Sequence, residues 1–298
     1  MALTTIGRGS IEMTIAMLIS GTIGWFVLIS GLPILDVVFW RCVFGASTLL
    51  VICAILGVIR PRIISLKLFG LTVLGGVLLV LNWVVLFNAY SYSSISIATT
   101  IYNTQPFILF AFGVFFFGER FTQQKLLWLA LSFSGLLMIV MTKPTTSDSG
   151  SHYLFGILLA FLAAFMYALI AVITKYLKGV PTYLITLIQV SVGVLMLAPW
   201  ANFETLPQQA GQWLSLITLG MLHTGVMYIL LYSAVQKLPT HLIGSLSFIY
   251  PVAAIVVDKI AFDQQLNTIQ LIGIAAILFA AAGMNLGWQF RLWPKAKA

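Results

Sequence analysis

Charged side chains are scarce in this sequence. Asp, Glu, Lys and Arg together make up 7% of the 298 residues, while 61% of the residues are hydrophobic. Soluble domains carry roughly 25% charged residues, and a soluble chain of this length could not cover its surface with so little charge. The composition excludes an ordinary water-soluble protein and indicates an all-α integral membrane protein, for which the lipid bilayer is the solvent.

Cysteine and recognisable catalytic motifs are also scarce. The 2 cysteines, Cys42 and Cys53, lie in one apolar run and would be roughly 16 Å apart along a helix, which is too far for a disulfide. The sequence contains no HExxH, CxxC, GxSxG or P-loop pattern and no paired catalytic carboxylates. We therefore expect no catalytic residues, no metal site and no cofactor, and an enzyme is disfavoured.

Acidic residues are outnumbered by basic ones, 7 against 15. The cations stand singly between apolar runs rather than in a cluster, so the excess does not indicate nucleic-acid binding. Cations in short loops set the orientation of membrane proteins instead. The net positive charge is thus a topological signal, and we expect no nucleic-acid partner.

Long uncharged runs predict ten transmembrane helices, because about 20 apolar residues cross a bilayer core. The first run follows Arg8 and shows no convincing cleavage site, so we expect it to remain as an uncleaved span. The polar stretch 90–94 divides the long run 68–118 into two spans. The other predicted spans are residues 13–35, 37–59, 126–142, 153–174, 182–200, 213–234, 242–257 and 268–288.

Loop charges predict the orientation. With the N-terminus inside, two cations fall outside, Lys143 and Lys259, whereas twelve fall inside. The inside set is Arg8, Arg60, Arg62, Lys67, Arg120, Lys125, Lys175, Lys178, Lys237, Arg291, Lys295 and Lys297. We therefore expect a multi-pass protein of the cell inner (plasma) membrane with both termini cytoplasmic.

The chain also divides into two similar halves. The polar stretch 144–152 follows the fifth span and is typical of an extracytoplasmic linker between residues 1–143 and 153–298. Pro106 in the fourth span and Pro251 in the ninth are separated by 145 positions. Because five is an odd number of spans, the second half must be inverted, which is a frequent design of secondary transporters.

Polar side chains at mid-membrane depth are the candidates for function, since such groups are costly when they face lipid. Interhelical hydrogen bonding is an equally good explanation for each. Pro106 and Pro251 are expected to kink their helices and to mark the bundle interior. The polar and aromatic candidates are Asn82, Tyr102, Asn103, Gln105, Tyr167, Gln189, His223, Tyr228 and Tyr250.

Three further features remain open on the sequence alone. His223 is a candidate proton carrier, although a neutral, hydrogen-bonded histidine explains it equally well. Arg41 and Asp258 could form a gating or structural ion pair, with Asp36 and Lys259 as rival partners and snorkelling of Arg41 as the simpler alternative. The small residues 280–283 favour close packing, either within the protomer or between two protomers of a homodimer.

The pattern as a whole resembles the drug/metabolite transporter superfamily, EamA-type. The resemblance is carried by two five-span halves, the two prolines, the segment 117–121 (Phe-Gly-Glu-Arg-Phe), the segment 36–46 around Arg41, and residues 156–175. It covers roughly residues 11–288. Gln264 stands where the family often has glutamate, so a symmetric role for Glu119 is not expected.

The resemblance implies a ten-helix fold with a substrate cavity between the halves, lined by spans 3, 4, 8 and 9 with contributions from spans 1 and 6. It implies export of amino acids or related small metabolites by alternating access. It supports Tyr102, Asn103, Tyr167, His223, Tyr228 and Tyr250 as substrate-binding candidates. The alternatives are an exchanger of another cargo, such as a nucleotide-sugar or a lipid-linked molecule, and a non-transport membrane protein.

Overall fold

The computed structural model describes residues 4–58, 64–93, 95–141, 153–203, 206–262 and 266–289. This part of the chain contains ten helical segments that are long and apolar enough to cross a membrane. The prediction of ten transmembrane helices is confirmed. Because ten is even, the first span begins and the last span ends on the same side of the bundle, which we call the terminal face.

Six spans are single regular helices. A capping side chain often explains where they begin: Ser65 accepts a hydrogen bond from the Leu68 N–H, and Thr122 accepts one from the Lys125 N–H. These helices are span 2 (Ile34–Ile55), span 3 (Leu66–Tyr92), span 5 (Gln123–Val140), span 6 (Tyr153–Tyr176), span 7 (Thr182–Leu197, followed by a 3-10 turn at Ala198–Trp200) and span 10 (Thr268–Leu286).

The other four spans are interrupted inside the membrane. Span 8 contains a π-helical turn, a feature that is frequent at functional sites. The interrupted spans are span 1 (Thr5–Gly21 and Ile23–Ser30), span 4 (Ile95–Tyr102 and Gln105–Phe117), span 8 (Ala210–Gly220, the π-helical Met221–Val226, and Met227–Lys237) and span 9 (Thr240–Ser247 and Ile249–Phe262).

Pro106 and Pro251 lie close after the breaks in spans 4 and 9. Pro106 is in the first turn of the helix Gln105–Phe117, and Pro251 is the third residue of the helix Ile249–Phe262. A proline in the first turn removes an N–H that would have no helical partner there. The chain therefore accommodates each proline by restarting the helix just before it.

The first span differs from the predicted run 13–35. It begins at Thr5, capped by Thr4, and ends at Ser30 before Gly31, whose φ is 61°. The sequence pattern excluded the first turns because they contain Arg8 and Glu12. In the fold, Glu12 pairs with Arg8 at 3.2 Å and with Lys237 at 2.6 Å, so these charges are tolerated at the end of a span.

Contacts between spans pair the two halves in a symmetric way. Each span n of the first half corresponds to span n+5 of the second half. If every span is replaced by its counterpart, the contact of spans 1 and 8 becomes that of spans 6 and 3, and both contacts are present. The same exchange relates spans 1 and 9 to spans 6 and 4, and spans 2 and 8 to spans 7 and 3, and all four of these contacts are present. Spans 2 and 7, and spans 5 and 10, pair with each other.

Small residues allow spans 5 and 10 to meet closely. A methyl group built on Gly135 or on Gly273 would lie 2.6 Å from the carbonyl oxygen of the other residue. Ala280 and Ala281 are buried, and Gly283 lies against the Trp128 ring. The small stretch 280–283 is therefore used within the protomer.

Candidate functional site

A cavity of about 180 Å³ lies where the interrupted spans meet. Side chains from both halves line it, and among the described residues they come from spans 1, 2, 3, 4, 6, 8 and 9. The lining residues are Met17, Ser20, Ile23, Arg41, Trp83, Leu86, Tyr102, Gln105, Tyr167, Met227, Tyr228, Leu231, Ser247 and Tyr250. Five of the predicted substrate-binding residues belong to this set: Tyr102, Gln105, Tyr167, Tyr228 and Tyr250.

Arg41 supplies the positive charge of the cavity. Its side chain is buried, its Nε donates to Thr224 Oγ1 at 3.2 Å, and its guanidinium carbon lies 4.9 Å from the centre of the Trp83 ring. Among the described side chains, no carboxylate lies within ion-pair distance of it. Arg41 therefore does not snorkel toward water but points into the protein interior.

The proposed partner of Arg41, Asp258, has a side chain that lies outside the described residues, so the Arg41–Asp258 pair stays a prediction. The rival partner Asp36 has a different contact. Its Oδ1 accepts a hydrogen bond from the Asn202 N–H at 2.9 Å. The sequence left a gating or structural ion pair and snorkelling open for Arg41, and it did not predict that Arg41 lines the cavity. A charged residue within an apolar run was the available signal.

Aromatic rings form much of the wall. Tyr102 and Tyr167 meet edge to face with centroids 6.1 Å apart, and Trp83 meets Tyr228 in the same way at 6.3 Å. Tyr250 accepts a hydrogen bond from Asn103 Nδ2 at 3.5 Å. These contacts hold large side chains from both halves in defined positions.

Three predicted site residues lie behind the wall rather than on it. Asn82 donates to the Ala163 carbonyl at 2.6 Å and accepts from the Tyr102 hydroxyl at 3.4 Å. Asn103 donates to the Thr99 carbonyl at 2.8 Å. His223 lies in the π-helical turn and is not among the residues that line the cavity with Tyr102 and Tyr250.

The contacts of His223 connect two interrupted spans. Its Nε2 lies 2.6 Å from Thr22 Oγ1, at the break in span 1, and its Nδ1 lies 3.2 Å from the Thr218 carbonyl oxygen in span 8. A carbonyl oxygen can only accept, so Nδ1 donates to it. Asn82, Asn103 and His223 are thus each hydrogen-bonded to other parts of the protein.

Comparison with known proteins assigns the family. The model of the EamA-like transporter family matches the chain twice, over residues 7–141 and 154–286. The chain belongs to the EamA-like transporter family. The resemblance to the drug/metabolite transporter superfamily is confirmed.

Two relatives agree with this assignment, and a solved structure shares the fold. A Bacillus subtilis (strain 168) protein named uncharacterized transporter YxxF is 31% identical over 93% of this chain and 88% of its own length. An uncharacterized transporter of Archaeoglobus fulgidus is 28% identical over 94% of this chain and 96% of its own. A crystal structure with 18% identity superposes with a TM-score of 0.81, covering 93% of this chain and 98% of that one, and so shows the same fold.

At the terminal face of this EamA-type protein, Glu119 ties the two halves together. Its carboxylate accepts hydrogen bonds from the Thr240 N–H at 2.8 and 3.0 Å and from the Thr240 hydroxyl at 2.8 Å. Lys175 Nζ lies 2.9 Å away and His241 Nδ1 lies 3.4 Å away. We call Glu119, Lys175, Thr240 and His241 the terminal latch.

Electrostatics favour the charged form of Glu119. Burial alone raises the pKa of this carboxyl. The hydrogen bonds from His241, Thr240 and Lys175 outweigh burial and hold its pKa well below the usual range for glutamate. The Glu119 carboxylate of the latch is therefore charged at neutral pH. Gln264, the proposed counterpart of Glu119 in the second half, lies outside the described residues.

Proposed function

We propose that this EamA-type protein is a secondary transporter that exports amino acids or related small metabolites across the cell inner membrane by alternating access. One observation carries the proposal: the cavity lies between the two halves, at the breaks of their interrupted helices. Interrupted spans that meet near the membrane centre are where secondary transporters bind their substrates. Backbone that is not helical is tolerated at that depth only inside protein or beside a cavity.

The size and charge of the cavity favour a small cargo. A cavity of about 180 Å³ is smaller than the roughly 300–1,000 Å³ of sites for drug-sized ligands. A nucleotide-sugar carries one or two phosphates, and among the described lining residues Arg41 is the sole cation. The exchanger of nucleotide-sugars or lipid-linked molecules is therefore the weaker alternative.

The architecture supports alternating access. We propose that residues 1–143 and 153–298 are inverted repeats, because the contacts between spans follow the n to n+5 exchange and the family model matches each half. In such proteins one half rocks against the other around a fixed site. The terminal latch and the Glu12–Lys237 pair join spans of opposite halves, so they are proposed to hold the terminal face closed.

We further propose that the terminal face is cytoplasmic, as the loop cations predict. A single cysteine at position 148, in a background without Cys42 and Cys53, tests this orientation. It should react with an impermeant thiol reagent in intact cells. Labelling only after lysis would contradict both the orientation and the inverted repeat.

Proton coupling through His223 is the remaining part of the proposal. The imidazole joins the break of span 1 to the π-helical turn of span 8, so a change in its protonation would alter a contact between the two halves. His223→Gln is expected to abolish stimulation by a pH gradient while leaving substrate exchange without a gradient within about twofold of wild type.

A flux assay in liposomes tests the function as a whole. Purified protein is reconstituted, and counterflow of labelled amino acids is measured against liposomes without protein. Tyr250→Ala should abolish counterflow at normal membrane levels, because it removes a wall of the cavity. Equal flux in protein-free liposomes for a broad set of amino acids and their derivatives would refute the proposal.

A further inference from the structure

The cavity contains two polar groups whose bonding capacity is unused. The first is the Arg41 guanidinium, which carries five N–H donors. Nε–H is bonded to Thr224. No described group accepts a hydrogen bond from the two terminal amino groups of this side chain, although it is only 5% exposed.

The second group is the side-chain carbonyl of Gln105. This residue is 6% exposed, lines the same cavity, and its Oε1 has no hydrogen-bond partner. A buried acceptor without a donor is unfavourable, because its lost hydration is not replaced by a hydrogen bond. A buried cation with two free terminal amino groups and a buried acceptor without a donor therefore line the same cavity.

Trp83 gives the arginine a fixed orientation. The guanidinium carbon lies 4.9 Å from the ring centre, and the bond to Thr224 fixes the Nε end of the plane. A planar guanidinium with its terminal amino groups free binds a carboxylate through two parallel hydrogen bonds. Burial strengthens this recognition, because water does not compete for the charge.

We propose that Arg41 is the anion-binding residue of the cavity and that the cargo is a small carboxylate. The cargo also carries a hydrogen-bond donor close to its carboxylate, and this group donates to Gln105 Oε1. Apolar walls complete the site. Met17, Ile23, Leu86, Met227 and Leu231 line the cavity and suit an aliphatic tail. An amino acid and a hydroxy acid share this chemistry, and the experiment below separates them.

The proposal takes from the proposed function only the assumption that the cavity receives a small cargo. Binding can be measured on purified protein without any flux, so the carboxylate-binding proposal and the proposed transport function can be refuted independently. Binding without transport would leave the present proposal standing and refute the proposed function.

Four ligands with one shared isobutyl tail form the probe set. Leucine and 2-hydroxy-4-methylpentanoate carry both the carboxylate and the donor, 4-methylpentanoate lacks the donor, and leucinol lacks the carboxylate. Affinities are measured by thermal-shift titration of the full-length protein in detergent. The best donor-bearing carboxylate should bind about tenfold more tightly than 4-methylpentanoate and at least about tenfold more tightly than leucinol.

Preference for leucine over 2-hydroxy-4-methylpentanoate identifies an amino-acid site, and the reverse identifies a hydroxy-acid site. Either result supports the proposal. Leucinol binding as tightly as leucine overturns it. Absence of binding by every carboxylate up to the millimolar range also overturns it.

Two variants assign the roles of the residues. Arg41→Lys keeps the positive charge but loses the planar guanidinium that can donate two parallel hydrogen bonds. It should weaken the binding of every carboxylate about tenfold without affecting the binding of leucinol. Gln105→Met should remove the advantage of the donor-bearing ligand while leaving 4-methylpentanoate unchanged. Arg8→Lys, at an exposed arginine of span 1, is the matched control. Equal weakening of all four ligands by Gln105→Met would indicate a packing role only and contradict the assignment.

Discussion

Replacing Glu119 with glutamine tests the terminal latch. Glutamine keeps the size of the side chain and one acceptor oxygen, but it removes the charge that faces Lys175. It also directs an amide donor at the N–H and hydroxyl of Thr240, which are donors themselves. The variant should therefore weaken the contact between the halves without creating a cavity.

The structure sets the expected magnitude. Breaking a buried ion pair by removing one partner costs about 3–5 kcal/mol. The Glu119 and Lys175 side chains keep 12% and 17% exposure, and one acceptor oxygen remains, so about 2 kcal/mol is expected. If the latch exists only in the state that is closed at the terminal face, the equilibrium shifts toward opening by a factor of about 30.

A thiol-labelling rate reports this shift. Ser247 lines the cavity, so Ser247→Cys in a background without Cys42 and Cys53 places one reactive thiol there. An impermeant reagent is applied to inverted membrane vesicles, which present the cytoplasmic side. Glu119→Gln should accelerate labelling by up to about 30-fold.

Arg120→Gln is the matched control, since Arg120 is the exposed neighbour of Glu119 in the chain. It should label at the rate of the parent protein. An unchanged labelling rate in Glu119→Gln at normal expression would refute the latch. Equal acceleration in both variants would assign the effect to loop charge in general.

The pH dependence of the latch follows from the lowered pKa of Glu119. A carboxyl whose pKa is lower in the folded state stabilises it fully above the ordinary glutamate pKa of about 4.3, and this contribution is lost as the pH falls through the folded value. The labelling rate of the parent protein, corrected for reagent chemistry, should therefore stay constant at neutral pH. A rise between mildly alkaline and mildly acidic pH would contradict this account.

Three other predictions concern separate parts of the molecule. Gly135→Ala should destabilise the packing of spans 5 and 10 by about 1–3 kcal/mol, because the new methyl group meets backbone that cannot move aside. Gly70→Ala, where a methyl group meets nothing within 4 Å, should be neutral or stabilising by up to about 1 kcal/mol, and thermal melts in detergent compare the two. Tyr250→Phe removes the hydroxyl that accepts from Asn103 and should slow counterflow less than Tyr250→Ala, by about tenfold or less.

Each of these has a clear contrary outcome. Equal melting temperatures for the two glycine variants would show that spans 5 and 10 can separate slightly at no cost. Counterflow lost as fully in Tyr250→Phe as in Tyr250→Ala would mean that the hydroxyl, not the ring, is the important part of Tyr250.

The number and approximate positions of the spans followed from the sequence alone, because lipid demands long uncharged runs wherever a helix crosses it. The break between spans 3 and 4 was predicted at residues 90–94 and falls at Ser93. The predicted start of span 1, residue 13, was wrong by eight residues, because the helix begins at Thr5. Arg8 and Glu12 are charged, so a hydropathy pattern excludes them from a span. Only the folded structure shows that Glu12 is paired with Arg8 and Lys237.

The tyrosines of the cavity wall were predictable for a related reason, since a polar side chain deep in an apolar run has to face protein or a cavity. Tertiary structure decided which of these side chains line the cavity and which lie behind it. Asn82 and Tyr102 looked equivalent in the sequence, yet one supports the other through a hydrogen bond. Such a division depends on how helices are rotated and broken, and no local pattern encodes it.

Arg41 shows the same limit most clearly. Its sequence position near the end of a span left two interpretations open, a gating or structural ion pair and the simpler one of snorkelling. Only the packing of span 2 against spans 3 and 8 places its guanidinium over Trp83, beside Thr224 and in the cavity. The sequence by itself determined that the chain spans a membrane ten times, because that depends on composition and length; the role of a single charge depended on its neighbours in space.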